Sequence, residues 1–413
     1  MSRRALTGVR RVLKDKEVAM PALRKRGILL FVLTACLSVG VGAENLTLLP
    51  TTISSARTSA IGGAHAALAD DLTTLFSNPA GFYEVQPEIR LSEITMHLQG
   101  PIFDLAGVAA GGLSGNFAQL LGSSNVQNLL QSIYASMNLI GPISFGYVGK
   151  GLGFGIFNTT GVTFTNTAPF TIAFSAGEQL MLDGGWAFRI PLPQAWNSSL
   201  DAGVMMKSGL QGISYLQKSL FELPSLFNSI GLSTLTGAPF YFNTLIGLDA
   251  GLRYSYKDWF SVGIVGHDIY TPVLQSEYPT LQSFIDNSAT PTKSNTVLPF
   301  NLSVGTLFTP DLGPLDLIIS NFKLMLDYSN ALDFLLYPAT ARNALLNMGL
   351  GTEITLLKIL ELRAGFHEGL FSAGLGLDLK YFRLDASMYG TELSSEPGLQ
   401  PVFNMIVGFS FQI

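Results

Sequence analysis

The chain has 413 residues, of which 47% are hydrophobic and 13% are charged, whereas a soluble domain carries about 25% charged residues. Its 43 glycines and 20 prolines follow no simple repeat, which excludes a collagen-like chain, and the apolar content excludes general disorder. After residue 43 the chain holds 15 Lys or Arg and 27 Asp or Glu. This acidic balance argues against nucleic acid as a partner.

The first 43 residues have the pattern of a secretory signal. Basic residues 24–26 precede an apolar run that ends in small residues at Ala43, and we predict a signal peptide over 1–43, with Met20 as a possible start. Cys36, the only cysteine, lies in this run. Cleavage after Ala43 removes it and excludes disulfides, while lipidation at Cys36 is the alternative.

Residues 55–82 are too short and too rich in glycine for a separate domain, and we predict that residues 44–86 form a compact plug. Asp70 or Asp71 can cap a short helix from Leu72 to Phe76. Asn78 and the following proline end that helix, because proline disfavours helical geometry in the residue before it.

The remaining chain, 87–413, predicts an all-β fold. No mature segment is apolar enough for a membrane helix, so a closed transmembrane antiparallel β-barrel is the remaining way to span a bilayer. Residues 248–257, 359–367, 370–381 and 382–389 alternate apolar and polar side chains, as barrel strands do. A soluble β-sandwich is the alternative, since one solvated face gives the same alternation.

The breaks between these runs predict about fourteen strands, with twelve as the alternative, and an interrupted fourth strand near 171–190. The predicted centres are 93, 145, 157, 180, 204, 250, 264, 304, 322, 350, 363, 375, 386 and 407. Short connections alternate with long ones, which is typical of outer-membrane barrels.

Two long external loops, near 113–139 and 211–235, carry apolar side chains at helical spacing. We predict that these helical loops form either an external ligand groove or a lid over the barrel mouth. The candidate groove residues are Leu129, Leu130, Ile133, Leu216, Leu220 and Phe227.

Catalytic chemistry is not predicted. The four histidines lie in separate segments, and no hydrolase or metalloprotease motif occurs. His267 and Asp268 are adjacent, so on a regular strand they point to opposite faces. We therefore expect no enzyme activity, no metal site and no cofactor.

Three arginines are predicted to face the lumen, at Arg253, Arg363 and Arg383. Each could bind the carboxylate of a ligand. Alternatively, each forms an internal ion pair, for instance with Glu361 or Asp385.

A motif in the plug resembles the hatch of the FadL-type long-chain fatty-acid transporter family. Its parts are Gly62, Gly63 and Ala64, then Asp70 and Asp71, then Asn78, Pro79, Ala80 and Gly81. The resemblance implies a plugged barrel of the bacterial outer membrane, in contact with its lipids and its assembly machinery. It also implies passive uptake of hydrophobic molecules, above all long-chain fatty acids.

In that family the ligand leaves sideways where the third strand kinks inward. The resemblance places this kink at Asn158, Thr159, Thr160 and Gly161, because glycine weakens a strand. The alternative is that this glycine serves the ordinary curvature of the barrel. Two other functions stay open: a barrel of the same superfamily that acts as a scaffold or secretion-system partner, and a general porin.

Overall fold

The computed structural model describes residues 48–102, 134–168, 171–219, 222 and 235–413. These residues form antiparallel strands, a few short helices and their connections. Within this part of the chain, no helix has the length and apolar character needed to cross a bilayer.

The described residues contain sixteen strand segments that lie side by side. They are β1 (Glu88–Gln99), β2 (Tyr134–Gly149), β3 (Leu152–Ala168), β4 (Thr171–Ile190), β5 (Ser198–Ser219), β6 (Phe240–Tyr256), β7 (Phe260–Tyr270), β8 (Pro272–Tyr278), β9 (Thr292–Val297), β10 (Asn301–Phe308), β11 (Ile319–Tyr328), β12 (Met348–Leu356), β13 (Leu360–His367), β14 (Leu370–Asp378), β15 (Phe382–Glu392) and β16 (Pro401–Gln412).

The segments form a closed ring, because β16 pairs with β1 and every neighbouring pair is antiparallel. β6 pairs with both β7 and β8, so these two segments make one crossing. β9 and β10 likewise make one crossing beside them. The barrel thus has fourteen crossings, and all fourteen predicted centres lie in them, which confirms the predicted fold. The predicted interruption of the fourth strand is wrong, since β4 is continuous over 20 residues.

The alternation of side chains sorts the two faces of the barrel. On β6, for example, Leu248 and Leu252 are exposed on the outside, whereas Asp249 and Arg253 are buried towards the lumen. A barrel that crosses a bilayer needs this apolar outer surface.

The longest connections all lie at one end of the ring, although 169–170 and 368–369 at that end are short. The two predicted helical loops are partly wrong: residues 134–139 belong to β2, and residues 211–219 belong to β5. Leu216 is therefore a strand residue, paired with Phe174. Here β5 forms backbone hydrogen bonds with β4. The spacing of apolar residues alone could not reveal this pairing.

Residues 48–87, here called the inner segment, lie inside the ring. They contain α1 (Ala56–Ala60) and two 3-10 helices, Leu72–Phe76 and Pro79–Tyr83. The segment contacts strands on several sides of the barrel, with Phe82 against β3, Ala66 against β7 and Ala60 against β14. In the described connections lie two short α-helices, α2 (Leu281–Ile285) and α3 (Asp333–Leu336), and three 3-10 helices, Gln194–Trp196, Gly313–Leu317 and Ala344–Asn347.

Glycines of the barrel wall allow the inner segment to approach closely. A Cβ atom on Gly263 would lie 2.0 Å from the carbonyl oxygen of Ala66, and one on Gly351 would lie 2.2 Å from that of Ile61. Both contacts are with backbone atoms, which cannot rotate away. The lumen is therefore filled at this level without space for a larger side chain.

We expect Gly263→Ala to destabilise the folded barrel, by about 1–3 kcal/mol, because the added methyl overpacks a filled lumen. Gly184→Ala is the matched control, since its Cβ would meet nothing closer than 3.9 Å. Urea midpoints for the refolded proteins measure the difference. Equal midpoints for the two variants would contradict tight seating of the inner segment.

Candidate functional site

A network of buried charges joins the inner segment to the wall. Arg57 lies at its centre, with 4% of its side chain exposed, and donates to Glu353 at 2.7 and 2.8 Å and to Asp70 at 2.7 and 2.8 Å. Its Nη1 also donates to Asp71 at 2.6 Å. Lys323 reaches Asp70 at 2.6 Å and Glu353 at 2.7 Å.

Two of the three predicted lumen cations extend this network along the wall. Arg363 donates to Glu353 at 2.8 Å and to Asp385 at 2.6 Å, and it also contacts Glu361. Arg383 donates to Glu361 at 2.7 Å and to Asp385 at 2.8 Å. The structure therefore shows internal ion pairs for both arginines.

The third predicted cation, Arg253, also serves the inner segment. Its Nε donates to the carbonyl of Ala67 at 2.9 Å, and its Nη2 donates to Ser261 at 3.1 Å.

Residues of the motif predicted in the plug hold the inner segment as well. Asn78 accepts from the N–H of Ala80 and donates to the carbonyls of Ala66 and Leu252.

The remaining motif residues shape the backbone. Asp71 caps the helix Leu72–Phe76 through the N–H of Thr73, as one of the two alternatives predicted. Gly62 and Gly63 have positive φ angles of 67° and 73°, a conformation that favours glycine. Pro79 opens the second 3-10 helix, and Ala64, Ala80 and Gly81 are buried beside it or against the wall.

The network lowers the pKa of both aspartates of the inner segment. Burial alone would raise the pKa of Asp70 and Asp71, but the guanidinium of Arg57 outweighs it, aided by Lys323 at Asp70 and by Arg383 at Asp71. Carboxyls with a lowered folded-state pKa stabilise the fold above their unfolded pKa.

The lowered pKa of these two aspartates predicts how the position of the inner segment inside the barrel depends on pH. The unfolded pKa of Asp is about 3.9, so the contribution is complete at neutral pH and is lost as the pH falls below about 4. We expect the inner segment to stay seated between pH 8 and pH 5 and to loosen below about pH 4. Conductance of the barrel in planar bilayers at stepped pH measures this, and opening above pH 5 would contradict it.

A cavity of about 430 Å³ lies above this network, on the side of the long connections. Its floor is formed by the inner segment, including Ile53, Ser59 and Phe76. Its wall comes from strand ends near the long connections, such as His97 on β1 and Asp327 on β11.

All four histidines line this cavity, namely His65, His97, His267 and His367. The sequence placed them in separate segments and gave no signal that they converge. Among the described residues, no cluster of His, Cys, Asp and Glu is arranged to hold a metal ion.

The prediction that His267 and Asp268 point to opposite faces is wrong, because β7 bulges here. Between two regular pairs with β6, three residues of β7 (267–269) stand opposite Asp249 alone, and Asp268 has a φ of 52°. His267 Nδ1 lies 3.1 Å from Asp249, and the N–H of Asp268 donates to the same carboxylate at 2.8 Å. Both side chains thus line the cavity.

The wall beside the cavity is irregular in β2. Ile140 pairs with Thr159 and Ser144 pairs with Phe157, so three residues of β2 (141–143) stand opposite one residue of β3. This stretch, here called the β2 break, also leaves the ladder with β1. Gly141 has a φ of 92°, and Pro142 lacks an N–H to donate, which confines proline to edges and bulges.

The β2 break lies between the cavity and the outer surface of the barrel. Ile140 is buried and lines the cavity, whereas Ile143 is 57% exposed on the outside. Outside, the N–H of Ile143 donates to Asn158 at 2.9 Å, and Ser92 donates to the carbonyl of Pro142 at 3.1 Å.

Beside the predicted third-strand kink, the irregularity of the ladder is in β2 and not in β3. β3 keeps an unbroken register with β4 through Asn158, Thr159, Thr160 and Gly161. The extra residues are in β2, where Gly141 and Pro142 were the sequence signal that could have located them. Thr159 nevertheless lines the cavity.

The predicted groove stays largely a prediction. Leu129, Leu130, Ile133, Leu220 and Phe227 lie outside the described residues. Leu216 is placed on β5, as given above.

No family model matches the sequence, and no curated protein matches it. The structure is similar to the Ralstonia pickettii toluene transporter TbuX, with a TM-score of 0.48, 12% identity and coverage of 86% of this chain and 96% of that one. It is also similar to the P. putida toluene transporter TodX, with a TM-score of 0.44, 12% identity and coverage of 86% and 97%. A Pseudomonas aeruginosa FadL homologue has a TM-score of 0.43, 12% identity and coverage of 88% and 98%.

Proposed function

We propose that the chain is an outer-membrane channel for the passive uptake of hydrophobic small molecules. One observation carries the proposal: the β2 break adjoins a cavity above a filled lumen. A molecule that leaves the cavity past Ile140 and Ile143 enters the bilayer and not water. Only a hydrophobic molecule gains free energy from that transfer.

The inner segment supports this route over a general porin. Its backbone packs against wall glycines, and its charges pair with the wall. A polar solute would need a continuous wet path, which the seated segment interrupts. We therefore propose that residues 44–86 act as a hatch that closes the direct path.

Long-chain fatty acids are the ligand class that the hatch motif implies. The inner segment fills the lumen below the cavity. This also fits the scaffold alternative, in which no solute passes through the barrel. The two functions differ in one result, which is whether the folded barrel carries any hydrophobic solute.

The test uses vesicles with a lipopolysaccharide outer leaflet that contain the refolded barrel. Uptake is measured for a labelled long-chain fatty acid, a labelled methylphenol and labelled glucose, against vesicles without protein. We expect saturable uptake of at least one hydrophobic solute and exclusion of glucose. Glucose entry would support the porin, and no uptake by a barrel with heat-modifiable gel mobility would support the scaffold.

A further inference from the structure

Among the described residues that line the cavity above the inner segment, none carries a permanent positive charge. All 15 Lys and Arg residues after residue 43 lie in the described part of the chain, and none of them lines the cavity. Lys207 lies behind it and is held by Asp249 at 3.2 Å and by Asp268 at 2.8 Å. The lining therefore offers no ammonium or guanidinium to an anion.

The lining does contain acids. Asp268 and Asp327 both face the cavity, and Asp327 accepts from the N–H groups of His65 and Ala66 at 2.8 and 2.7 Å. Burial lowers the pKa of His65 to about 4, so this imidazole is neutral at physiological pH. A carboxylate brought here would lose its hydration without gaining a permanent opposite charge.

The cavity is equally unsuited to a bare hydrocarbon. Neutral donors and acceptors converge on it from the inner segment and from several strands, for example Ser59, Gln99, Asn138, Thr159 and Ser303. Gln99, Asn138 and Ser303 each have a hydrogen bond to the protein. An apolar ligand would displace water from the remaining donors and acceptors of the lining, which costs free energy. Apolar surface is also present, at Ile53, Phe76, Ile140 and Val265.

From this lining we propose that the cavity is a binding site for an uncharged amphipathic molecule. The ligand class combines an apolar skeleton with one neutral hydrogen-bonding group, as a phenol or an alcohol does. The inference rests on the proposed function and narrows its ligand class. It places fatty-acid anions outside the ligands of this cavity.

Isothermal titration of the refolded barrel tests the proposal with three probes that share one skeleton: toluene, p-cresol and p-toluate. We expect p-cresol to bind about tenfold or more tightly than either of the others, because one satisfied hydrogen bond is worth roughly that factor. p-Toluate binding as tight as that of p-cresol, or toluene binding as tight, would overturn the proposal.

A matched pair of variants provides a second test. Ser303→Lys places a cation in the cavity, and Ser303→Met adds similar length without charge. We expect Ser303→Lys to bind p-toluate about tenfold more tightly than Ser303→Met does. Equal affinity of the two folded variants for p-toluate would contradict the inference that the missing cation prevents anions from binding in the cavity.

The two proposals fail differently. If vesicles take up a fatty acid while p-cresol does not bind, the ligand class is wrong and the channel function stands. If no hydrophobic solute binds or crosses, the channel function fails, and the ligand class fails with it.

Discussion

We expect Arg57→Met to convert the closed barrel into an ion-conducting pore. The substitution leaves Glu353, Asp70 and Asp71 in a buried site without their shared guanidinium. Breaking a buried pair by removing one partner costs about 3–5 kcal/mol, because the remaining charge is uncompensated. The inner segment can avoid that cost by leaving its seat, which hydrates the carboxylates and opens the lumen.

Current steps in planar bilayers measure the effect directly. Lys358→Met is the control, because Lys358 lies in an exposed turn outside the network. We expect steps for Arg57→Met and none for the control or the unmodified chain. A folded Arg57→Met barrel that stays closed would show that the wall glycines hold the segment without the charges.

The strands could be predicted from the sequence because each one faces two different media. Apolar residues such as Leu248 and Leu252 must face outward, and polar residues such as Asp249 must face inward. Because this requirement repeats every second residue, even a short piece of a strand shows the alternation in its sequence. The sequence also limited the helix cap to Asp70 or Asp71, since capping acts within a few residues, and the structure places it at Asp71.

The contents of the lumen could not be predicted in the same way. Arg57 and Glu353 are 296 residues apart in the chain, and the sequence does not state which carboxylate a buried arginine meets. The convergence of the four histidines likewise depends on the register around the whole ring. The bulge at residues 267–269 also made a local prediction wrong. It breaks the alternation from which the directions of the His267 and Asp268 side chains were deduced.

We expect deletion of Gly141 and Pro142 to stop uptake while leaving ligand binding intact. Removing two residues restores one register between β2 and β3 on both sides of the break, because β2 has two residues more than β3 there. An even number also keeps every later side chain of β2 on its present face.

The deletion also suits β1. Five residues of β2 now stand opposite four of β1, and the deletion leaves three opposite four. β1 already carries one extra residue, Leu91, against its other neighbour β16. A single bulge in β1 then serves both neighbours, so the shortened β2 can pair along its length.

Uptake into the lipopolysaccharide-coated vesicles and calorimetric binding are measured on the same preparation. Ile143→Ala is the control, since it keeps the backbone of the break and removes only an exposed side chain. We expect the control to retain uptake and the deletion to lose it, with the cavity ligand bound by both. Unchanged uptake by the deleted barrel would mean that the ligand leaves by another path, because a paired β2 leaves no gap between the cavity and the bilayer.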